Sequence, residues 1–284
     1  LGAELSQACG AALLLAGDQV VEGAQRLAAG PASPADRARV AAGAGPSADD
    51  VFTICWTSGT EGAPKGVPRS HNQWIAISYA HFEAARIAPG DMLLNPFPMI
   101  NMAAIGGCFL SWLHAAGTLL LHHPFDPHVY LQQIAVERPQ YAIAPPAVLN
   151  LLIRDEALLA RVDLSSLRCI GSGSAPLAPA MIAGFRERLG IEIVNLFGSN
   201  EGVSLASGPD EIPDPERRAR YYPRFGRAEV PWPHRVSQSM ETRLVDPASG
   251  AEILEPGRPG ELQVRGATVF DGYFKSPQMT AAAF

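Results

Sequence analysis

Thr57-Ser58-Gly59-Thr60-Glu61-Gly62-Ala63-Pro64-Lys65-Gly66-Val67 follows an apolar, strand-like segment, Val51-Phe52-Thr53-Ile54-Cys55-Trp56. Hydroxyls, glycines and one lysine are gathered where a buried strand is expected to end. Glycine lets backbone N–H groups come close to an anion. The hydroxyls of Thr57, Ser58 and Thr60 add hydrogen bonds, and Lys65 adds charge. This chemistry suits the phosphates of a nucleotide. The spacing is not that of the common P-loop, which needs Gly, four residues, then Gly-Lys-Ser/Thr; counted from Gly59, the chain has Pro64-Lys65-Gly66 instead.

Outward from this run, strand and helix patterns alternate. Expected strands are Val51–Trp56, Asp91–Asn95, Thr118–His122, Tyr141–Ala144, Leu167–Gly171 and Glu192–Leu196; expected helices are Asn72–Ala85, Ala103–Ala116, Pro127–Glu137, Pro146–Asp155 and Ala178–Leu189. Such alternation predicts an α/β fold, a mostly parallel sheet flanked by helices. Residues 49–208 form this core. Residues 1–48 read as a partial α/β segment and a linker: a helix Leu5–Ala11, a strand Ala12–Ala16, a helix around Val20–Leu27, then a Pro/Gly/Ser/Ala-rich connection from Pro31 to Asp50. Residues 209–284 change texture. Pro209–Pro223 is charged and Pro-rich and reads as an irregular connection. Short alternating segments at Met240–Asp246 and Gly260–Gly266 read as antiparallel sheet.

The 284 residues, 47% hydrophobic, support a large core. A net charge of −6 argues against nucleic-acid binding. Arg217-Arg218-Ala219-Arg220 reads as a solvated loop. No apolar run reaches membrane-spanning length. Four scattered cysteines (Cys9, Cys55, Cys108, Cys169) lack metal spacing and read as reduced thiols of a cytoplasmic protein. Lys65 and Lys275 are the only lysines. His122, His123 and His128 fit no standard metal site and read as a surface strand end.

Four more segments carry chemistry. Gly171-Ser172-Gly173-Ser174-Ala175-Pro176-Leu177 follows an expected strand and matches neither a dinucleotide fingerprint nor a hydrolase elbow. Asn195-Leu196-Phe197-Gly198-Ser199-Asn200-Glu201-Gly202 ends another. Gly260-Glu261-Leu262-x-Val264-Arg265-Gly266 precedes Gly272-Tyr273-Phe274, and Pro96-Phe97-Pro98-Met99-Ile100-Asn101-Met102 follows the strand at 91–95.

Together these segments, in this order, resemble the adenylate-forming superfamily, which includes acyl-CoA synthetases. Its phosphate loop reads roughly Thr-Ser-Gly-Thr-Thr-Gly-x-Pro-Lys-Gly, and this chain departs only at Glu61. The resemblance implies that Thr57, Ser58, Gly59, Thr60, Gly62 and Lys65 hold phosphates, with Glu61 pointing outward. It implies that Gly173, Ser174, Ala175 and Pro176 lie against adenine, with small residues where a flat base rests on backbone. Phe197 would pack the adenine, Asn195 would face its amino group, and Gly198 completes that turn. Asn200 stands where the family carries a threonine that meets the α-phosphate. Glu201 would bind Mg²⁺, a hard cation that takes carboxylate oxygen. Asn101, where the family often carries histidine, would line the acyl pocket with Met102, Ile105, Ser172, Gly173 and Ser199. His71, after the loop, would pack or cap. The Gly260 segment would be structural, within a distorted barrel-like portion.

The implied reaction joins a carboxylate to the α-phosphate of ATP, releasing pyrophosphate, and then passes the acyl group to coenzyme A. Lys65 and Glu201 are the expected catalytic pair, and ATP, Mg²⁺ and coenzyme A the cofactors. The partners are a small carboxylic acid and coenzyme A; a homodimer is compatible with the sequence. No Asp, Glu, Lys or Arg occurs between Asp91 and Asp126, so a pocket built there leaves an amino acid's ammonium unpaired, which is costly. A fatty, alicyclic or aromatic acid is expected. By the same resemblance the family's chain continues past Phe284 into a small lid with a catalytic lysine, so this chain is expected to adenylate poorly alone. Two other readings stay open: an enzyme loading an aryl or acyl group onto a carrier protein, and a non-catalytic nucleotide- or acyl-binding homologue.

Overall fold

Neighbouring residues along the central strands enter different cores. Leu94, Ala142, Ile170 and Ile193 join one buried cluster. Their chain neighbours Leu93, Tyr141, Ile143, Cys169 and Val194 join another. Side chains alternate across a strand, so segments apolar at successive positions are stable only when both faces are covered.

The computed structural model describes residues 13–15, 24–26, 45–57 and 64–284. The chain divides between Ser47 and Ala48 into two compact units. In the first, β1 (Leu13–Leu15) pairs in parallel with β2 (Ala24–Arg26). The helix expected around Val20–Leu27 is therefore corrected at Ala24–Arg26: strand pairing overrides a weak local preference. The helix expected at Leu5–Ala11 lies outside the described residues.

In the second unit, β3 (Val51–Trp56) and β4 (Gly66–Ser70) form an antiparallel pair. β3 was expected to be buried, but Val51 and Phe52 are exposed. α1 (His71–Ala84) starts on a capping box: the Ser70 hydroxyl accepts from the Gln73 N–H, and the Gln73 side chain accepts from the Ser70 N–H. The His71 ring stacks on Phe52. β5 (Met92–Asn95) leads to α2 (Met102–Ala104), a π-helical stretch Ile105–Phe109, and α3 (Leu110–Ala115). Then come β6 (Thr118–Leu121), α4 (Pro127–Glu137), β7 (Tyr141–Ile143), α5 (Pro146–Arg154) and α6 (Glu156–Leu159). β8 (Cys169–Gly173), α7 (Pro179–Leu189), β9 (Glu192–Gly198) and β10 (Ser204–Ser207) complete the α/β core. Proline at the first helical turn starts α4, α5 and α7, and Gly190 at φ +68° ends α7.

The sheet order is β10-β9-β8-β7-β5-β6. β5 to β9 run parallel, and β10 returns antiparallel beside β9. This is the expected α/β architecture. Two expectations about its margins are corrected. Arg217–Arg220 belongs to α8 (Pro215–Arg220), not to a solvated loop. Arg218 is fully buried there, donating to the Ile212 and Pro213 carbonyls and pairing with Glu192. His122 is also buried, its Nε2 accepting from the Asp126 N–H at 2.9 Å. The C-terminal portion carries the antiparallel pair β11 (Met240–Val245) and β12 (Glu261–Gly266), and then α9 (Pro277–Ala283). No helix among the described residues is long and apolar enough to cross a membrane.

Candidate active site

Four parallel strands end on one cavity of about 1190 Å³. Phe97–Ala103 follows β5, Ile143 ends β7, Gly173–Leu177 begins at the last residue of β8, and Leu196–Asn200 spans the end of β9 and the turn after it. Ligands of open α/β sheets bind outside the carboxyl ends of the strands for this geometric reason. Of the residues selected from sequence, Asn101, Met102, Gly173, Ser174, Ala175, Pro176, Asn195, Phe197, Gly198, Ser199 and Asn200 share this wall.

Ile105 and Ser172 do not. Ile105 packs with Cys55, Trp74 and Leu110 in a separate cluster. The Ser172 hydroxyl is buried and donates to the Ala144 carbonyl at 2.8 Å. Ser172 alternates with Gly171 and Gly173 along β8, so its side chain faces the sheet neighbour and not the opening.

Packing inside the sheet also requires Gly173 to be small. A Cβ there would stand 2.2 Å from the Leu196 carbonyl oxygen, so the adjacent strand already excludes it. Ser174 takes φ +70°, a left-handed turn that aims the chain away from β8. Asn101 caps α2, its Oδ1 accepting from the Ala103 N–H at 2.7 Å.

Asn195 has a use the sequence did not reveal. Its Nδ2 donates to the Arg218 and Ala219 carbonyls, and its Oδ1 accepts from the Tyr222 hydroxyl at 2.7 Å. These bonds form a brace holding residues 218–222 against the cavity, whose wall Asn195 shares. Tyr222 in turn packs on Phe197, ring centroids 5.8 Å apart, and both line the cavity.

The catalytic pair expected from sequence is drawn together by a third residue. The Tyr273 hydroxyl donates to Glu201 Oε1 at 3.0 Å, and Lys65 Nζ lies 5.1 Å from the centroid of the same ring. Burial, and then the charge of Glu201, push the Tyr273 phenol up to about 12, so it stays a donor at neutral pH. Thr57 and Lys65 close the neck of the phosphate loop: the Thr57 N–H donates to the Lys65 carbonyl at 2.9 Å, and the Lys65 N–H to the Thr57 hydroxyl at 3.3 Å. Ser58, Gly59, Thr60, Glu61 and Gly62 lie outside the described residues.

Arg69 fastens the other side. Its guanidinium is buried; Nε and Nη2 donate to the Asn200 carbonyl, and Nη1 to the Thr268 carbonyl at 2.7 Å. Burial lowers its pKa to about 10, with Cys55 and Glu201 opposing, which leaves it charged at pH 7. Phe274 N–H donates to the Gly66 carbonyl at 2.8 Å, closing the clasp. Local sequence assigned no role to Arg69, Tyr222 or Tyr273, because each acts through partners far along the chain.

Similarity to known proteins agrees with this layout. A family model described as AMP-binding enzyme matches residues 6–274. The probable CoA ligase CCL5 of Humulus lupulus is 30% identical over 82% of this chain and 41% of its own length. The feruloyl-CoA synthase of an Amycolatopsis species is 30% identical over 82% of this chain and 44% of its own. Among solved structures, ATP-bound MatB from Rhodopseudomonas palustris superposes with TM-score 0.66 at 26% identity, over 84% of this chain and 44% of that one. The inhibitor-bound N-terminal domain of FACL13 from Mycobacterium tuberculosis gives TM-score 0.66 at 26% identity, over 88% and 59%. The chain thus spans about two fifths of the curated relatives it matches.

Proposed function

This chain belongs to the AMP-binding enzyme family, and on that premise we propose that it forms the nucleotide- and acyl-binding part of a carboxylate–CoA ligase. The observation that carries the reading is the single cavity shared by the Gly173–Pro176 turn, Phe197 and the apolar segment Phe97–Ala103, beside the Lys65–Tyr273–Glu201 cluster. Adenine would rest at the Gly173–Pro176 turn and Phe197. The acyl group would occupy the wall of Phe97, Met102 and Ile143.

In the first step a carboxylate oxygen of the acid bonds to the α-phosphorus of ATP, and the bond to pyrophosphate breaks. The carboxylate is already ionised at pH 7 and needs no base. The chain's contribution is then position and charge. Lys65 would neutralise phosphate oxygens, and Arg69 would hold the Asn200–Glu201 turn in place. In the second step the thiol of coenzyme A bonds to the acyl carbon and AMP leaves.

Glu201 would hold Mg²⁺. Among the described residues no three acidic, histidine or cysteine side chains converge as a metal cage. A lone carboxylate fits a cation carried mostly by substrate phosphates. When bound, the cation would offset phosphate charge. Three described cysteines are free and buried, which supports the cytoplasmic reading.

Calorimetry with Mg·ATP and with an acyl-sulfamoyladenosine, a stable mimic of the acyl-adenylate, tests the site. Both should bind, and Lys65→Ala should weaken ATP at least roughly ten-fold, the loss of one charge-assisted contact. Failure of the unaltered chain to bind either compound would overturn the reading. Carboxylate-dependent ATP–pyrophosphate exchange across fatty, alicyclic, aromatic and amino acids, in a polypeptide of the relatives' length carrying this sequence, would then identify the acid class.

A further inference from the structure

The turn at Glu201–Gly202 and the segment 268–273 are interlocked. The Phe270 N–H donates to the Glu201 carbonyl at 2.9 Å. Gly202 takes φ +140°, and a Cβ there would stand 2.5 Å from Val269 Cα, so backbone lies directly on backbone. Tyr273 is then pinned at three points. Its N–H donates to the Thr280 hydroxyl at 2.9 Å, its ring meets that of Phe270 edge-on with centroids 4.8 Å apart, and its hydroxyl donates to Glu201 Oε1 at 3.0 Å. The phenol is thus held against the carboxylate by its own surroundings, and it takes one of the two carboxylate oxygens.

We propose that Tyr273 is a positioning residue that makes Glu201 a one-oxygen cation ligand, and that the ATP site thereby favours Mg²⁺ over Ca²⁺. The inference rests on the ligase reading above. An ionised carboxylate only accepts, through two oxygens. With Oε1 engaged by the phenol, Oε2 is left to the cation. Mg²⁺ is small and octahedral, keeps several waters, and takes one or two carboxylates beside substrate phosphates. Ca²⁺ takes about six to eight oxygens and readily uses both oxygens of one carboxylate. Gripping Glu201 by both oxygens would break the Tyr273 hydrogen bond, and bonds to a charged acceptor are among the stronger ones. That penalty falls on the cation that prefers two oxygens. Among the described residues no cage of three ligands is present, so the number of oxygens that Glu201 lends is a large part of what the chain offers the cation. Lys65 rests on the ring of Tyr273, its Nζ 5.1 Å from the centroid. Tyr273→Phe therefore removes the hydrogen bond and keeps the ring for Lys65 and Phe270.

Calorimetry of ATP binding to this chain, with Mg²⁺ or Ca²⁺ in excess over nucleotide, tests the proposal. The readout is the ratio of the two affinities. A site loosened as a whole weakens both complexes together and leaves the ratio where it was, whereas freeing Oε1 shifts it. The unaltered chain should bind ATP tighter with Mg²⁺ than with Ca²⁺, a measurement that stands without any variant. Tyr273→Phe should narrow that preference roughly ten-fold, the worth of one charge-assisted hydrogen bond. Added to Glu201→Gln, Tyr273→Phe should leave the ratio where Glu201→Gln alone sets it, because the effect runs through the carboxylate. ATP binding by the unaltered chain with no preference for Mg²⁺, a ratio unmoved by Tyr273→Phe, or a shift that persists in Glu201→Gln would overturn this inference alone. No ATP binding with either cation would overturn the ligase reading, and this inference would fall with it.

Discussion

β3 and β8 look alike in sequence and differ in the fold. Each is a short apolar strand that runs into a glycine- and hydroxyl-rich loop. β8 lies inside the parallel sheet between β7 and β9, with Cys169 and Ile170 buried on opposite faces. Among the described residues β3 pairs only with β4, and Val51 and Phe52 are exposed. The loop after β8 is fixed by the neighbouring strand, through the Leu196 carbonyl beneath Gly173. The loop after β3 is tied at its neck by Thr57 and Lys65, and from outside by residues 273–274. A glycine-rich loop on a strand end is thus not one structural object. What holds its ends depends on what the strand packs against.

Substitutions should separate the two strands sharply. Ile170→Ala opens a void in a two-sided core and should cost about 2–5 kcal/mol in urea unfolding; a loss below 1 kcal/mol would show that β8 is not the buried strand described. The junction between the two regions is α1, which begins at β4 and ends against β10, and His81 reports on it through pH. Its folded pKa of about 4 lies below the unfolded value near 6.5. The unfolded chain therefore binds the extra proton first, and stability should fall as pH drops from 6.5 to 4, by roughly 2–3 kcal/mol. His81→Leu should flatten that slope, and an unchanged slope would place His81 in water. Gly173→Ala must displace the Leu196 backbone and should cost about 1–3 kcal/mol, read in the same melt. Phe52→Ser, on the exposed side of β3, gives up a half-exposed stack on His71 and should cost about 0.5–1.5 kcal/mol. A larger loss would mean that β3 is covered in solution.

Much of the core was legible because its signals are local. The strands at 92–95, 118–121, 141–143 and 192–198 and the helices at 127–137, 146–154 and 179–189 are written in periodicity, proline starts and a glycine stop. The order of motifs likewise pointed to a nucleotide and an acyl group before any coordinate. Three features were hidden for a shared reason. Ala24–Arg26 became strand by pairing with Leu13–Leu15. Arg218, charged and flanked by arginines, was buried by carbonyls at 212–213 and by Glu192. Ser172, inside a glycine-rich motif, turned to Ala144 and away from the cavity. In each case a partner distant in sequence set the outcome.

The sequence by itself determined the α/β core, the family resemblance and most of the stretches that line the cavity, because periodic burial and loop chemistry are properties of neighbouring residues. Tertiary structure alone decided that Asn195 braces Tyr222, that Arg69 clamps Asn200 to Thr268, and that Tyr273 joins Lys65 to Glu201. Those outcomes depend on hydrogen-bond partners dozens to about two hundred residues away, and such pairings exist only once the sheet has brought their ends together.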